Sequence, residues 1–504
     1  MEASERPKKP LIIRFKIPGE RFFIYDSLTN MFFEVDKVNY DVLEFYKVID
    51  NDEIIKKLEG THSKADLEKS LKIIKEKEEK HGLFSDKRAT CMSFVHEEGL
   101  SFYDDYKDKC KQLILEVTQS CNLRCKYCTF SGHYAYQRTH NTAEMSWETA
   151  KAAVDWFLGT SKSQGEKSVT FYGGEPLLKF DLIKKIIDYV KDKGEKLRHS
   201  FTTNGTLLGK REIIDHLAAN NVNLLVSLDG PPEVHDAYRV FAGGGPTHKV
   251  IMDNLRKIYE LYPEYYSMSV NCITTLAYEK DMPKVYEFFR KDHGFPLKLG
   301  ILSNVDASDT DFYEIYGKQE KEKGGPFDEL YKKYCDMLIN NKGGREGAQD
   351  KESDILHQLF DGFFIGIHRR CMEKHDEMHM NGCCVPGQRR VFVETDGNML
   401  ACEKLGNKYS LGNVKTGGFD MNKVKAFIDD YIKLSFTDCK ECTIQRLCRL
   451  CFRSAMQNGI MTRERKRECC KAAVKNITEN LLVYIMLTAK NKDAFKFIDK
   501  MTIS

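Results

Sequence analysis

Short alternating runs of apolar and polar residues fill positions 10–38: LIIRFKI, RFFIYDS and MFFEVD, broken at Gly19 and at Leu28-Thr29-Asn30. Alternation of period two between turn signals predicts three short β-strands. Helical spacing follows over 40–49 and 54–58. Residues 64–81 then form a charged amphipathic pattern ending at Gly82, a C-cap signal. Three strands followed by three helices predict a winged-helix-like domain over residues 1–90. It carries no catalytic constellation. Either it caps and stabilises the chain or it binds a ligand, since a strand edge beside a helix takes an extended peptide as an added strand.

A different rhythm occupies residues 108–305. Apolar β-like runs at 112–117, 168–172, 198–203, 223–228, 268–274 and 297–302 alternate with helical patterns at 147–158, 182–193, 210–219, 249–262 and 282–292. Strand–helix repetition predicts parallel β/α units, and six of them predict an α/β fold with a partial (β/α)6 barrel. In barrels, functional residues collect where strands end. Residues 306–380 read as a helical bridge, with helices over 327–339 and 354–364 and a loop at 343–347. Residues 381–475 have few long periodic stretches, and 476–504 close the chain as a helix.

Charge changes this picture little. Lys and Arg number 78 against 75 acidic residues, a net +3, which gives no footing for nucleic acid or an anionic membrane as the main partner. MEASERPKKP lacks the apolar core of a signal peptide, and no apolar run approaches the roughly 20 residues of a membrane span. A soluble, cytoplasmic protein is expected. Cysteine changes the picture more. Of 17 cysteines, residues 121–128 hold three and 371–470 hold ten, leaving Cys91, Cys110, Cys272 and Cys335 elsewhere. Disulfides are disfavoured in a reducing cytosol, so clustered thiols there read as metal ligands.

Cys121, Cys125 and Cys128 are spaced C-x3-C-x2-C just after the first barrel strand. Three thiolates hold three irons of a 4Fe–4S cube and leave the fourth iron open for chemistry. Zinc knuckles favour paired C-x2-C units and four ligands. With Tyr127 just before the third cysteine, the stretch resembles the radical S-adenosylmethionine (SAM) enzymes. That resemblance implies an open iron that chelates SAM and a 5′-deoxyadenosyl radical that abstracts hydrogen. It also implies a cofactor pocket. Gly173-Gly174-Glu175-Pro176 is similar to the family's GGEP loop, which meets the methionyl ammonium; glycines let the backbone approach closely. Asn204, Ser227, Asp229 and Arg239 fall where similar enzymes contact the ribose and carboxylate, although strand-end turn chemistry also suits Ser227 and Asp229. Gly300 and Ile301 are candidates for the adenine.

The second cysteine set resembles the SPASM extension of radical SAM enzymes that modify peptides, which implies two auxiliary 4Fe–4S clusters and three clusters in all. By that resemblance Cys439, Cys442, Cys448 and either Cys470 or Cys469 hold a distal cluster, and Cys384, Cys402 and Cys451 a nearer one. Some similar extensions place three residues between the last pair of the run, where this chain has two. Either Cys383 or Cys371 completes the nearer cluster, or one iron stays open to a substrate thiolate. A zinc ribbon over 439–451 is the alternative from the residues alone. Glu403, directly after Cys402, stands where sulfatase-maturing relatives have a proposed basic aspartate; an idle exposed glutamate is the plain reading.

Residues 1–90 are similar to the leader-recognition element of peptide maturases, which tethers a precursor and raises its effective concentration. The long spacer and cysteine-rich tail are similar to those of the maturases of cysteine-rich peptides, and this resemblance implies a sactipeptide- or ranthipeptide-type maturase. Its expected partners are a leader-bearing cysteine-rich precursor peptide and a flavodoxin- or ferredoxin-type electron donor, and its product a thioether crosslink. Carbon–carbon crosslinking, epimerisation and formylglycine formation on a sulfatase are the alternatives within the class. An iron–sulfur electron carrier is the alternative outside it.

Overall fold

The computed structural model describes residues 9–93, 110–135, 137–161, 166–306, 309–318, 325–340, 351–372, 377–379, 382–387 and 389–501. The expected loop at 343–347 lies outside them.

Strands β1 (Ile12–Ile17), β2 (Arg21–Asp26) and β3 (Met31–Val35) form an antiparallel sheet in that order. Helices Lys37–Phe45, Asn51–Leu58 and Lys64–His81 follow. Asp36, Asp50 and Ser63 cap their first turns, and Gly82 ends the third at φ +64°, the left-handed stop that glycine adopts without strain. Ile24, Val42, Leu43, Ile54, Leu67 and Ile74 form the module's own core.

A short strand β4 (Met92–Ser93) precedes the main sheet. Parallel strands β5 (Gln112–Thr118), β6 (Ser168–Gly173), β7 (Arg198–Thr203), β8 (Asn223–Ser227), β9 (Val270–Leu276) and β10 (Leu299–Asn304) then run side by side. Their registers pair Leu113 with Val169, Phe171 with Phe201, and Val226 with Cys272. Helices Trp147–Thr160, Phe180–Asp192, Arg211–Ala219, His248–Leu261 and Met282–Arg290 alternate with them. The helices bury Val154, Phe157, Ile183, Ile187, Ile214 and Leu255 in one core with the strands' Leu113, Val169 and Leu224. Each such side chain contributes about 1.5–3 kcal/mol.

The strand expected over 268–274 begins instead at Val270. Pro263 sits at the start of a helix running to Ser269, a position where proline's fixed φ favours the helix. Met268 is left 71 % exposed on it. The largest departure lies in the cysteine-rich region, which is neither sparse in regular structure nor separate from the sheet. After β11 (Met378–His379), which pairs with β4, strand β12 (Arg390–Val393) lies parallel to β5 on the barrel's free edge, with Val391 opposite Leu113. Strands β13 (Asn398–Leu400), β14 (Gly412–Asn413) and β15 (Gly418–Phe419) continue the sheet antiparallel, giving ten strands among the described residues. Helix Met421–Cys439 occupies 19 residues, and helix Arg463–Lys490 runs through the expected boundary at 475. The charged first turns of that long helix hid its period from a hydrophobic reading. The bridging helices are Pro326–Ile339 and Lys351–His368. Among the described residues, no helix is long and apolar enough to cross a membrane.

Candidate active site

The loop after β5 carries Cys121, Cys125 and Cys128 at the C-terminal mouth of the barrel. Each sulfur faces a donor. Leu123 N lies 3.4 Å from Cys121 Sγ, Phe130 N 3.4 Å from Cys128 Sγ, and Arg239 Nη1 3.9 Å from Cys125 Sγ. Burial pushes the Cys121 thiol up to about 11 and the Cys125 thiol up to about 12. Donors that favour thiolates, in a site that disfavours free ones, fit metal-held sulfur, because coordination removes the proton outright.

The loop after β6 is locked onto the cysteine loop. Gly174 N donates to Thr118 O and Glu175 N to Ser120 O, both at 2.9 Å. A Cβ on Gly173 would stand 1.9 Å from Thr118 O, and one on Gly174 2.0 Å from Ser120 O. The glycines thus let two strand-end loops touch. Glu175 is buried, and its carboxylate is used within the protein: Oε1 accepts from Leu177 N at 3.0 Å and Thr203 Oγ1 at 2.7 Å, and Oε2 from Asn204 N at 2.7 Å. Burial lifts its carboxyl to about 7.

Asn204 is likewise engaged. Its Nδ2 donates to Asn122 Oδ1 at 2.7 Å, and its Oδ1 accepts from Thr206 Oγ1 at 2.7 Å. Asn122 Nδ2 donates to Thr206 Oγ1 at 2.8 Å. These contacts fasten the β7 exit to the cysteine loop. Ser227, at the end of β8, is buried, and no side-chain hydrogen bond of its hydroxyl is found among the described residues. Gly300 leaves room for Asn271, whose Cβ would lie 2.9 Å from an added methyl, and Ile301 is 43 % exposed on β10.

Asp229 is the hub of the opposite side. Oδ1 accepts from Thr275 N at 2.8 Å, and Oδ2 accepts from Arg239 Nε at 2.8 Å and from the Tyr127 hydroxyl. Arg239 also lies over the Tyr127 ring, 5.3 Å from its centroid. Asp229 N donates to His235 Nδ1 at 3.1 Å. Thr247 Oγ1 donates to Arg239 O at 2.9 Å, so His235 Nε2 must carry the proton it shares with that hydroxyl at 2.9 Å. His235 is therefore neutral, and burial holds it down at about 4.

Tyr172 packs edge-on against Phe392 of β12, with 5.8 Å between the ring centroids. Burial raises the Tyr172 hydroxyl, and Glu403 and Cys128 raise it further. Glu403 lies 3.4 Å from Arg390 Nη1, largely out of solvent. The Nε of Arg390 is buried without a partner in the described structure.

Cys439, Cys442, Cys448 and Cys470 line one cavity of about 100 Å³ that also takes in Tyr431 and Lys466. Cys469, one residue along the same helix, does not line it. Lys466 is 4 % exposed, and its ammonium lies 3.1 Å from Cys439 Sγ and 3.9 Å from Cys470 Sγ. A buried ammonium requires an anion. Burial pushes the Cys448 thiol up to about 12 and raises those of Cys442 and Cys470, so free thiols would leave Lys466 uncompensated. Thiolates held by a cluster fit. In the second group, burial pushes Cys402 up to about 12, with Glu403 and Cys451 acting the same way. Burial also raises Cys383, which has Cys451 and Cys384 close by. Cys371 is exposed instead, its carbonyl accepting from Asn30 Nδ2 at 2.8 Å. Among the described residues no three His, Cys, Asp or Glu side chains converge tightly enough for one ion. Thiolates on zinc stand about 3.8 Å apart; those on separate irons of a cube stand farther apart.

Asn122, Thr203, Thr206, Thr275, Tyr172 and Lys466 escape a motif reading. Lys466 carries a signal only once the helix is known to reach it, since it stands one turn before Cys470 on the same face.

Residues 115–288 match the model of the Radical SAM superfamily. An uncharacterized protein of Methanocaldococcus jannaschii is 33% identical over 320 residues, 63% of this chain and 92% of that protein. A cysteine-type anaerobic sulfatase-maturating enzyme of Clostridium perfringens is 27% identical over 354 residues, 67% of this chain and 87% of the enzyme. Among solved structures, native anSMEcpe with bound AdoMet aligns with a TM-score of 0.51 at 23% identity, covering 75% of this chain and 99% of that one. The parallel sheet, its helices and the cysteine-bearing first loop define an α/β enzyme that works through SAM and iron–sulfur. The chain belongs to the radical SAM superfamily.

Proposed function

We propose that this enzyme matures a ribosomally made, cysteine-rich peptide by forming thioether bonds between cysteine sulfur and carbon. One observation carries the reading: a module with an open strand edge is joined in the same chain to a barrel and two further thiol groups. Strand β3 ends its sheet with no strand on its outer side among the described residues. A leader segment would add there as a fourth strand, while the core peptide reaches the barrel mouth by tethering.

In this reading Cys121, Cys125 and Cys128 hold the SAM cluster. The pocket for SAM is made by Tyr127, Gly173, Gly174, Glu175, Asn204, Ser227, Asp229 and Arg239. Glu175 and Asp229 act by fixing the loops around it. Cys439, Cys442, Cys448 and Cys470 hold a distal auxiliary cluster, and Cys384, Cys402 and Cys451 with Cys383 a nearer one. SAM bound at its cluster supplies, on one-electron reduction, a radical that abstracts hydrogen. Glu403, kept by Arg390, accepts the proton of a peptide thiol. A flavodoxin- or ferredoxin-type protein delivers electrons.

Mass spectrometry of a leader-bearing cysteine-rich peptide, encoded beside the gene and co-expressed with it, tests the reading. Loss of a hydrogen pair per crosslink, abolished when the peptide cysteines are blocked, is expected. Unchanged modification of a cysteine-free peptide sinks it. Similarity to sulfatase-maturating enzymes favours a second reading, formylglycine formation. Modification of a leaderless sulfatase peptide, with the leader-bearing peptide untouched, would put that reading first.

A further inference from the structure

Lys466 is a buried cation with no carboxylate partner among the described residues. Asp438, adjacent to Cys439, is occupied by Arg463 and Arg467, each at 2.8 Å. The ammonium of Lys466 is bounded instead by Cys439, Cys470 and the Tyr431 ring, whose centroid lies 5.7 Å away. No carboxylate pairs with it among the described residues. Helix Arg463–Lys490 carries both Lys466 and Cys470, one turn apart, so the ammonium and one thiol enter the cavity from the same wall.

We propose that Lys466 is the counter-charge of the distal cluster and raises its reduction potential. The proposal rests on the assignment of Cys439, Cys442, Cys448 and Cys470 to one cluster. One-electron reduction adds a negative charge to a group already ligated by thiolates. A positive charge within hydrogen-bonding reach stabilises the reduced form more than the oxidised one, and the buried setting strengthens the effect. The thiols of Cys439, Cys442, Cys448 and Cys470 would hold a centre able to take up the electron that substrate oxidation releases, and a one-electron carrier of the ferredoxin or flavodoxin class would remove it, so that the centre returns to its starting state.

The test is an anaerobic redox titration of the full-length, iron-loaded protein, followed by electron paramagnetic resonance with iron counted. Lys466→Gln keeps a donor and removes the charge; Lys466→Arg keeps the charge. For Lys466→Gln, one auxiliary signal is expected to show at least a tenfold lower reduced-to-oxidised ratio at fixed potential, about 59 mV for one electron. Lys466→Arg is expected to titrate like the wild type, with the SAM-cluster signal unmoved in both. Full iron with an unchanged titration in Lys466→Gln overturns the proposal. If Lys466→Gln loses iron that Lys466→Arg retains, charge compensation is needed for assembly and the proposal stands. Loss from both marks a packing role and overturns it. Wild-type protein with iron for a single cube removes the cluster assignment itself.

Discussion

Arg239 donates Nε to Asp229 at 2.8 Å while its Nη1 reaches to 3.9 Å from Cys125 Sγ. One side chain thus ties the strand-end carboxylate to the cluster loop. Both partners are nearly out of solvent, at 10% and 2% side-chain exposure. Asp229→Ala leaves the guanidinium buried and unpaired, and breaking such a pair costs about 3–5 kcal/mol. The denaturant midpoint of the iron-loaded enzyme should fall accordingly, whereas Asp229→Ala combined with Arg239→Met should recover part of the loss. Equal losses in the single and double variants would contradict the pairing.

Gly174→Ala tests the contact between the first two strand-end loops. The added methyl would stand 2.0 Å from a backbone carbonyl, Ser120 O, and no side chain can move aside to relieve it. The cysteine loop must shift, so the purified variant should carry about four irons fewer per chain and lose SAM binding in equilibrium dialysis. Gly243→Ala, where nothing lies within 4 Å of an added methyl, is the control.

His235 gives a pH dependence. Its folded value, about 4, lies below the ordinary 6.5, so the unfolded chain binds the extra proton first. The neutral ring's stabilisation is whole above about 6.5 and drains as pH falls toward 4, up to about 3 kcal/mol in total. Protonation also removes the acceptor for Asp229 N. Hydrogen-exchange protection of 223–239, corrected for intrinsic rate, should fall between pH 7 and pH 5 in the wild type. In His235→Asn it should start low and stay flat. A wild-type profile with no pH dependence would sink this account.

Adjacent cysteines separate ligand from bystander. Cys470 lines the cavity with Cys439, Cys442 and Cys448, and Cys469 does not. Cys470→Ala is expected to lose one auxiliary signal in electron paramagnetic resonance with a drop in iron, and Cys469→Ala to keep both. The reverse result would exchange the two assignments.

Much of this architecture is legible in the chain. The barrel strands stand out because apolar runs such as LILEV in β5 are buried on both faces, and Gly82 and Ser63 punctuate a helix in the expected way. The cysteine spacing at 121–128 and GGEP mark the mouth. What stays hidden depends on long-range pairing. Nothing local in RVFV says that β12 will lie along β5 rather than begin a separate domain. Glu175 and Asn204 look like ligand contacts by position, yet their side chains are used between strand ends, a fact of geometry that spacing does not encode. Helix Arg463–Lys490 opens on RERKRE, so its polar face masks the two cysteines and the lysine it aligns.

The N-terminal module is also stitched to the far end of the chain. Ser27 Oγ lies 3.5 Å from Cys442 O, Arg446 Nη1 3.2 Å from Leu28 O, and Arg88 Nε 2.8 Å from Glu441. These contacts join parts of the chain more than 350 residues apart in sequence. The Cys442 loop therefore takes its backing from the N-terminal module rather than from its own neighbours, so loosening the module would loosen one wall of the thiol-lined cavity as well.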